Sequence, residues 1–103
     1  MADPMRIRAK VSGDVATVRV LMSHEMETGQ RKDASGKVIP AWYIQGVSAS
    51  LNGAVVLTAQ WGPSVSKNPF LQFNVKGAKV GDKLAVTWTD TKGDKRTDET
   101  TVS

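Results

Sequence analysis

Apolar and polar residues alternate with a period of two along most of this chain. In the first such segment Ile7, Ala9 and Val11 point one way and the basic residues between them point the other, as in a half-buried strand. No window repeats with the period of a helix. The alternation predicts seven short strands, at residues 5–12, 15–22, about 40–51, 54–61, 70–76, 83–90 and 94–102.

Short turn sequences separate these segments, and Asn52-Gly53 is the strongest of them. Both residues tolerate the positive φ angles of a type I′ turn, so the pair predicts a tight hairpin. Around Gly46 the apolar phase shifts by one residue, which predicts a β-bulge there. Seven short strands with regularly spaced turns predict an all-β fold, an immunoglobulin-like antiparallel β-sandwich, with residues 1–103 as a single domain.

The three tryptophans, Trp42, Trp61 and Trp88, fall on inward positions of the predicted strands. We expect Trp61 and Trp88 in the core, and Trp42 partly exposed because it stands beside a long connection. Val55 is expected to point inward on the return strand of the hairpin. Three residues are expected to point outward, and they would mark an interface if they were contiguous: Val15, Leu21 and Phe70. The sequence leaves open whether the isolated chain self-associates through its sheet edges.

Two polar connections interrupt the strand pattern, at residues 22–40 and 64–69. Most loops in compact β-domains are short, and longer ones are usually functional or disordered. The first connection holds the only histidine, His24, among many charged residues. It is therefore the first place to look for a site.

Composition and charge narrow the classes of function. The chain has no cysteine, which excludes disulfides and cysteine-based sites. The net charge of +4 favours acidic partners but is modest for a nucleic-acid binder. The basic row on the first strand lacks interleaved aromatics, so we expect a solvated edge, with an acidic partner strand as the alternative. No apolar run approaches the roughly 18 residues of a membrane span, and the first residues carry no export signal.

Catalysis is poorly supported, because a nucleophile-and-base site needs more than one isolated histidine. Ser23 precedes His24, but adjacent residues on an extended chain point apart. Glu25 and Glu27 would share a side of a strand and are more simply solvated charges. We therefore expect a protein that is not an enzyme and needs no cofactor.

A copper site is the alternative, since Met22, His24 and Met26 would share a strand face. Thioether and imidazole ligands suit Cu(I), as in periplasmic copper-binding β-sandwiches. The competing explanation, which we favour, is that Met22 belongs to the core and Met26 packs the loop against the sandwich.

The loops resemble those of the SoxZ family, small subunits of the SoxYZ sulfur-carrier complex of bacterial thiosulfate oxidation. The matching segments are His24-Glu25-Met26-Glu27-Thr28-Gly29, Arg31-Lys32-Asp33, Gly36-Lys37, Ile39-Pro40, Gly62-Pro63, Val65-Ser66, Lys67-Asn68-Pro69-Phe70, Gly81-Asp82, Trp88-Thr89-Asp90 and Gly93. They cover essentially the whole chain. Two departures are Glu25, where the family often has proline or lysine, and the apolar surroundings of Trp42, where a basic residue or histidine is common.

This resemblance implies an immunoglobulin-like subunit with no chemistry of its own. It would pair with SoxY, whose C-terminal Gly-Gly-Cys-Gly-Gly arm carries sulfur intermediates on its cysteine. Other Sox enzymes would act on that cargo transiently, without nucleic acid or membrane as partners. The expected location is the periplasm, reached with a SoxY that carries the twin-arginine signal.

We predict that the two long loops form a polar surface that faces the partner. Arg31, Lys32 and Asp33 would hold the register by charged hydrogen bonds, and Asn68-Pro69 would shape the second loop. The alternative is that Arg31 and Asp33 brace their own loop. The predicted partner-facing residues are His24, Met26, Glu27, Arg31, Lys32, Asp33, Lys67, Asn68 and Pro69.

Overall fold

A computed structural model describes residues 3–103 of the chain. The first two residues of the stretch searched for an export signal therefore lie outside the described part. The structure contains seven strands and, within the described residues, no helix. These strands are β1 (Arg6–Ser12), β2 (Val15–Leu21), β3 (Ile44–Leu51), β4 (Ala54–Gln60), β5 (Phe70–Lys76), β6 (Lys83–Asp90) and β7 (Lys95–Thr101). Residues 3–103 contain no helix that is long and apolar enough to cross a membrane.

The strands form two antiparallel sheets, ordered β1-β2-β5 and β4-β3-β6-β7. The sheets pack face to face, which confirms the predicted sandwich. Their inner faces supply the core, because alternate side chains of each strand point the same way. The largest buried apolar side chains, each less than 2% exposed, are Trp88, Met22, Ile44, Leu84, Val18, Val20, Val86 and Val102.

Two local predictions of backbone geometry are confirmed. Asn52 and Gly53 have φ angles of 51° and 88°, as a type I′ turn requires. At the start of β3, Ile44 pairs with Asp90 of β6, and Gly46 already pairs with the preceding residue, Thr89. Gln45 is therefore the extra residue of a bulge that brings the apolar residues of β3 back onto the core face.

The return strand β4 differs from its prediction. Ala49 pairs with Leu57 but Ser50 pairs with Val55, so a second bulge at Val56 shifts the phase of the strand. Val55 is consequently 66% exposed, and its predicted inward orientation is wrong. Trp61, which was expected in the core, lies beyond the end of β4. It packs against the core but is only partly buried.

The open edge between the two sheets is tied by contacts around β1 and β7. Asp98 on β7 accepts a hydrogen bond from the Met5 N–H at 2.9 Å and is held by Arg96 on the same strand. Ser103 donates its N–H to the Ala9 carbonyl at 3.0 Å and accepts from the Val11 N–H at 2.9 Å. Part of the β1 edge is therefore already paired within the chain. As predicted, β7 itself is polar and largely exposed.

Candidate functional site at the paired long loops

The two long connections lie against each other at one end of the sandwich. The Met22 N–H donates to the Pro69 carbonyl and the Asn68 N–H donates to the His24 carbonyl, both at 2.9 Å. Asn68 Oδ1 in turn accepts from the His24 N–H at 3.0 Å. Asn68 clasps the first connection in this way from a positive φ of 51°, a conformation that asparagine tolerates better than most residues. We call this combined surface, residues 22–43 and 61–69, the loop platform.

His24 is buried in the interior of the loop platform and is 6% exposed. Its Nδ1 accepts a hydrogen bond from the Met26 N–H at 3.1 Å. Because an accepting nitrogen carries no proton, the proton of the neutral ring resides on Nε2, which donates to Asp90 Oδ2 at 3.0 Å. Both ring nitrogens are therefore engaged, and the ring has no free nitrogen with which to act as a base.

Asp90 is the buried anchor of this end of the sandwich. Besides His24, its carboxylate accepts from the Trp42 Nε1–H at 2.7 Å and from the backbone N–H groups of Lys92 and Asp94 at 2.9 Å. Burial opposes ionisation, but the hydrogen bonds from His24, Trp42 and the backbone outweigh it and lower the pKa of Asp90. A charged carboxylate thus joins the first connection, the segment just before β3 and the β6–β7 turn.

Aromatic rings enclose His24 on two sides. Its ring centroid lies 4.8 Å from that of Trp42 and 5.2 Å from that of Trp88, the latter in a T-shaped arrangement. The Lys92 Nζ lies 4.1 Å from the Trp42 ring centroid, close enough for a cation–π interaction. His24 is therefore a packed and hydrogen-bonded structural residue of the loop base.

The structure does not form the thioether–imidazole site considered from the sequence. β2 ends before Met22, and Met26 adopts a positive φ of 53°, so the predicted strand alternation does not continue. Met22 lies in the core, and the Met26 sulfur accepts from the Ile44 N–H at 3.3 Å. Residues 3–103 also hold no cluster of three or more His, Cys, Asp or Glu placed for a metal ion. These contacts match the packing role favoured from the sequence.

The outer part of the first connection is a small hairpin of its own. Lys32 and Val38 form an antiparallel bridge, and the Ile39 N–H donates to the Arg31 carbonyl at 2.7 Å. At the tip, Asp33 Oδ1 accepts from the Ser35 hydroxyl at 2.7 Å and from the backbone of residues 35 and 37. The Ser35 hydroxyl is the main cause of the lowered pKa of Asp33. The segment is thus ordered by its own hydrogen bonds.

An ion pair connects this hairpin to the base of the connection. Arg31 contacts Glu27 through both its Nε and a terminal nitrogen, at 3.1 and 2.5 Å, and this bidentate contact lowers the pKa of Glu27. Glu27 also pairs through its backbone with Trp42. The Arg31 side chain remains 62% exposed. Arg31 therefore braces its loop and still presents most of its surface to solvent.

A groove of about 540 Å³ separates the two halves of the loop platform. Lys67 and Glu25 form an ion pair across it at 3.3 Å. The groove is lined on one side by Glu25, Met26, Glu27, Thr28 and Arg31, and on the other by Pro63, Ser64, Val65, Ser66 and Lys67. Charged rims around a shallow depression suit recognition of another polar surface.

Comparison with known proteins decides the family. The family model described as "Sulphur oxidation protein SoxZ" matches residues 5–101. The chain belongs to the SoxZ family. This SoxZ-family chain therefore has a role in sulfur oxidation. The resemblance first noted in its loops is confirmed, and the match extends over residues 5–101. A search among curated proteins found no match.

The residues predicted to face a partner of this SoxZ-family chain divide into two groups. Four form the interior of the platform: His24, Met26, Glu27 and Pro69. Five lie on its surface: Arg31, Lys32, Asp33, Lys67 and Asn68. The structure shows the bracing contacts of Arg31 and Asp33, and contact with a partner stays a prediction. The surface group is the part that a partner would touch directly.

Sequence reasoning missed Asp90 as the residue that holds the platform of this SoxZ-family chain together. A usable signal was present, because Asp90 is in phase with Leu84, Val86 and Trp88 on β6. A carboxylate on a core-facing position is rarely buried without hydrogen-bond partners. That rule predicts donors converging on Asp90, although it does not identify them.

Proposed function

We propose that this chain is the non-catalytic small subunit of a SoxYZ sulfur-carrier complex. It binds SoxY and presents the C-terminal arm whose cysteine carries sulfur intermediates during thiosulfate oxidation. The observation that carries this proposal is the family match over residues 5–101. Other Sox enzymes meet the complex transiently in the periplasm, which the chain enters with a signal-bearing SoxY.

The chemistry of the loop platform supports a role without catalysis. The one histidine has both ring nitrogens engaged, and the acidic residues of the first connection are occupied in ion pairs or turns. The chain also has no cysteine, so it offers no thiol that would exchange with a sulfur-loaded cysteine on its partner. The reactive group is supplied by SoxY.

The exposed rim of the groove is the proposed contact with SoxY. Arg31 and Lys67 present cations at the groove, and Lys32 and Asp33 are exposed on the adjoining hairpin. Hydrogen bonds between charged groups are stronger and more directional than neutral ones. The internal bracing of the hairpin supports this assignment, because it holds these charges in a fixed arrangement before a partner arrives.

The test is co-purification of SoxY with this chain, comparing two double variants. Arg31→Ala with Asp33→Ala removes one positive and one negative charge from the platform. Lys95→Ala with Glu99→Ala removes the same charges from the exposed strand β7. We expect the platform variant to lower SoxY recovery about tenfold, as loss of interfacial charges does, and the control to retain it.

Each result has a separate meaning. If the parent chain recovers no SoxY, the subunit proposal is wrong. If the platform variant binds SoxY as well as the parent does, and thiosulfate turnover in the reconstituted system is unchanged, the subunit proposal stands and the assigned surface is wrong.

A further inference from the structure

The outer face of the three-stranded sheet concentrates positive charge. Its exposed positions on β1, β2 and β5 include no acidic residue. Five of them are cations that lie on the same side of the sheet by strand alternation: Arg6, Arg8, Lys10, Arg19 and Lys76. Outside this basic sheet face, acidic residues slightly outnumber Lys and Arg. The net positive charge of the chain is therefore contributed by this one face.

The strand register places two of these cations directly opposite each other. Arg8 on β1 pairs with Arg19 on β2, and like charges at opposed positions of an antiparallel pair are destabilising. Within residues 3–103, none of the five cations forms an ion pair. Nothing within the described residues neutralises these cations, so the face is open to an acidic partner.

The outer face of the other sheet provides a contrast. It consists mainly of small uncharged residues, with Lys83, Lys95 and Glu99 towards its margins. Both faces belong to the same sandwich and are exposed to the same solvent. The uncompensated positive charge is therefore concentrated on the β1-β2-β5 side of the sandwich.

An apolar pair borders the basic sheet face where it meets the loop platform. Leu21 and Phe70 are opposite each other in the β2–β5 register and are 44% and 59% exposed. Arg6 is the neighbour of Leu21 on β1. Protein interfaces commonly combine exposed aromatic and aliphatic anchors with arginine, whereas non-specific binding of single-stranded nucleic acid uses several interleaved aromatics.

We propose that the basic sheet face is a docking surface for a protein partner that presents an acidic surface. Carboxylates of the partner would lie over Arg8, Lys10 and Arg19, where the face forms a shallow depression of about 340 Å³. Leu21 and Phe70 would receive an apolar contact at its border. Such a surface accelerates association and gives contacts that weaken with ionic strength. The proposal goes beyond the proposed function, since it depends on charge and strand register rather than on SoxY.

The test uses the full chain and a short Glu-rich peptide containing leucine as the probe. Binding is followed by amide chemical shifts at low and high ionic strength. Arg19→Glu is compared with Lys95→Glu, which makes the same charge change on the outer face of the other sheet. We expect Arg19→Glu to weaken peptide binding about tenfold, because an attractive contact becomes repulsive, and Lys95→Glu to change it less than twofold.

A stability measurement separates a binding role from a structural one. In Arg19→Glu the new carboxylate faces Arg8, so the midpoint of thermal unfolding should stay equal or rise while peptide binding falls. A lower midpoint would assign Arg19 to the fold and overturn the proposal. Arg19→Gln, which removes the charge without reversing it, repeats both measurements in case the reversal prevents folding.

Three other results would overturn the proposal. The first is equal weakening in Arg19→Glu and Lys95→Glu, which would show that only net charge matters. The second is a set of peptide-induced shifts that avoids β1, β2 and β5. The third is tighter binding to an oligonucleotide or an anionic vesicle than to the peptide at matched charge, which would assign the face to nucleic acid or membrane.

Discussion

His24 and Asp90 are separated by 66 positions in the sequence, yet His24 Nε2 donates to Asp90 Oδ2 at 3.0 Å in the interior of the protein. This contact joins the first connection to the end of β6. Asp90 also holds Trp42 and the β6–β7 turn. One carboxylate therefore fixes three segments that are distant in the chain, and it sets the geometry of the loop platform above it.

Replacing Asp90 by Asn should destabilise the protein strongly. The amide keeps the size of the side chain but loses its charge and directs N–H groups at neighbours that are themselves donors. We expect the free energy of unfolding to fall by about 3 kcal/mol, because buried donors to a charged acceptor lose their partner.

Urea denaturation checks this prediction, with Asp94→Asn as the matched control. Asp94 lies in the same turn but is exposed, so the control should change stability by less than about 0.5 kcal/mol. Equal effects of the two substitutions would contradict the anchoring role of Asp90.

The Arg96–Asp98 pair predicts how stability depends on pH. The Arg96 guanidinium beside Asp98 lowers the pKa of that carboxyl in the folded protein, and the Met5 N–H contributes a further hydrogen bond. A lowered folded-state pKa gives stability that is present above the unfolded pKa of about 3.9. That stability is lost as the pH falls through the folded-state pKa.

Thermal unfolding of the parent chain and of Asp98→Asn tests this dependence. At pH 7 the variant should be less stable by about 1–2 kcal/mol, since it loses hydrogen bonds to a charged acceptor. The difference between the two proteins should shrink steadily below pH 4. A difference that stays constant down to pH 2 would show that protonation of Asp98 is not its cause.

Gly29 and Gly36 should respond differently to alanine. Both have positive φ angles, 86° and 84°, where any other residue is strained by about 1–2 kcal/mol. A Cβ at Gly29 would also lie 3.1 Å from the Ala41 Cβ, whereas one at Gly36 would meet nothing within 4 Å. We expect Gly29→Ala to be about 1–3 kcal/mol less stable than Gly36→Ala.

The difference in stability between the two variants measures the packing of the first connection against the segment just before β3, because the backbone strain is the same in both. Chemical denaturation of both variants supplies the measurement. If the two alanines are equally costly, the close approach of Gly29 to Ala41 does not contribute to the ordering of the loop.

Local rules predicted much of this fold from the sequence. The Asn52-Gly53 turn and the bulge at Gly46 each have a residue type that announces the backbone geometry. The bulge at Val56 has no such signal, since valine is an ordinary strand residue, and the predicted orientation of Val55 was wrong for that reason. The alternation of apolar and polar residues was enough to predict the number of strands. Which side chains of β4 point inward depended on the extra residue at Val56, which no residue type in the sequence indicates.

The base of the candidate site was harder to predict because its contacts are distant in sequence. Neither His24 nor Asp90 carries a local pattern that identifies the other, and their distance is set by how the two sheets pack. Asn68 clasps the first connection for a similar reason, through a contact across 44 positions. Sequence similarity could assign these residues to the family, whereas only the structure shows which of them are interior and which are exposed.

The ties within the loop platform have a consequence for the thermodynamics of association. The first connection is fastened by the Asn68 clasp, the Glu27–Trp42 bridge and the Lys32–Val38 bridge. Its conformational entropy is therefore lost when the chain folds, and little remains to be lost when a partner binds. A partner meets a preorganised surface, so the binding free energy of each contact is retained as affinity instead of being spent on ordering a flexible segment.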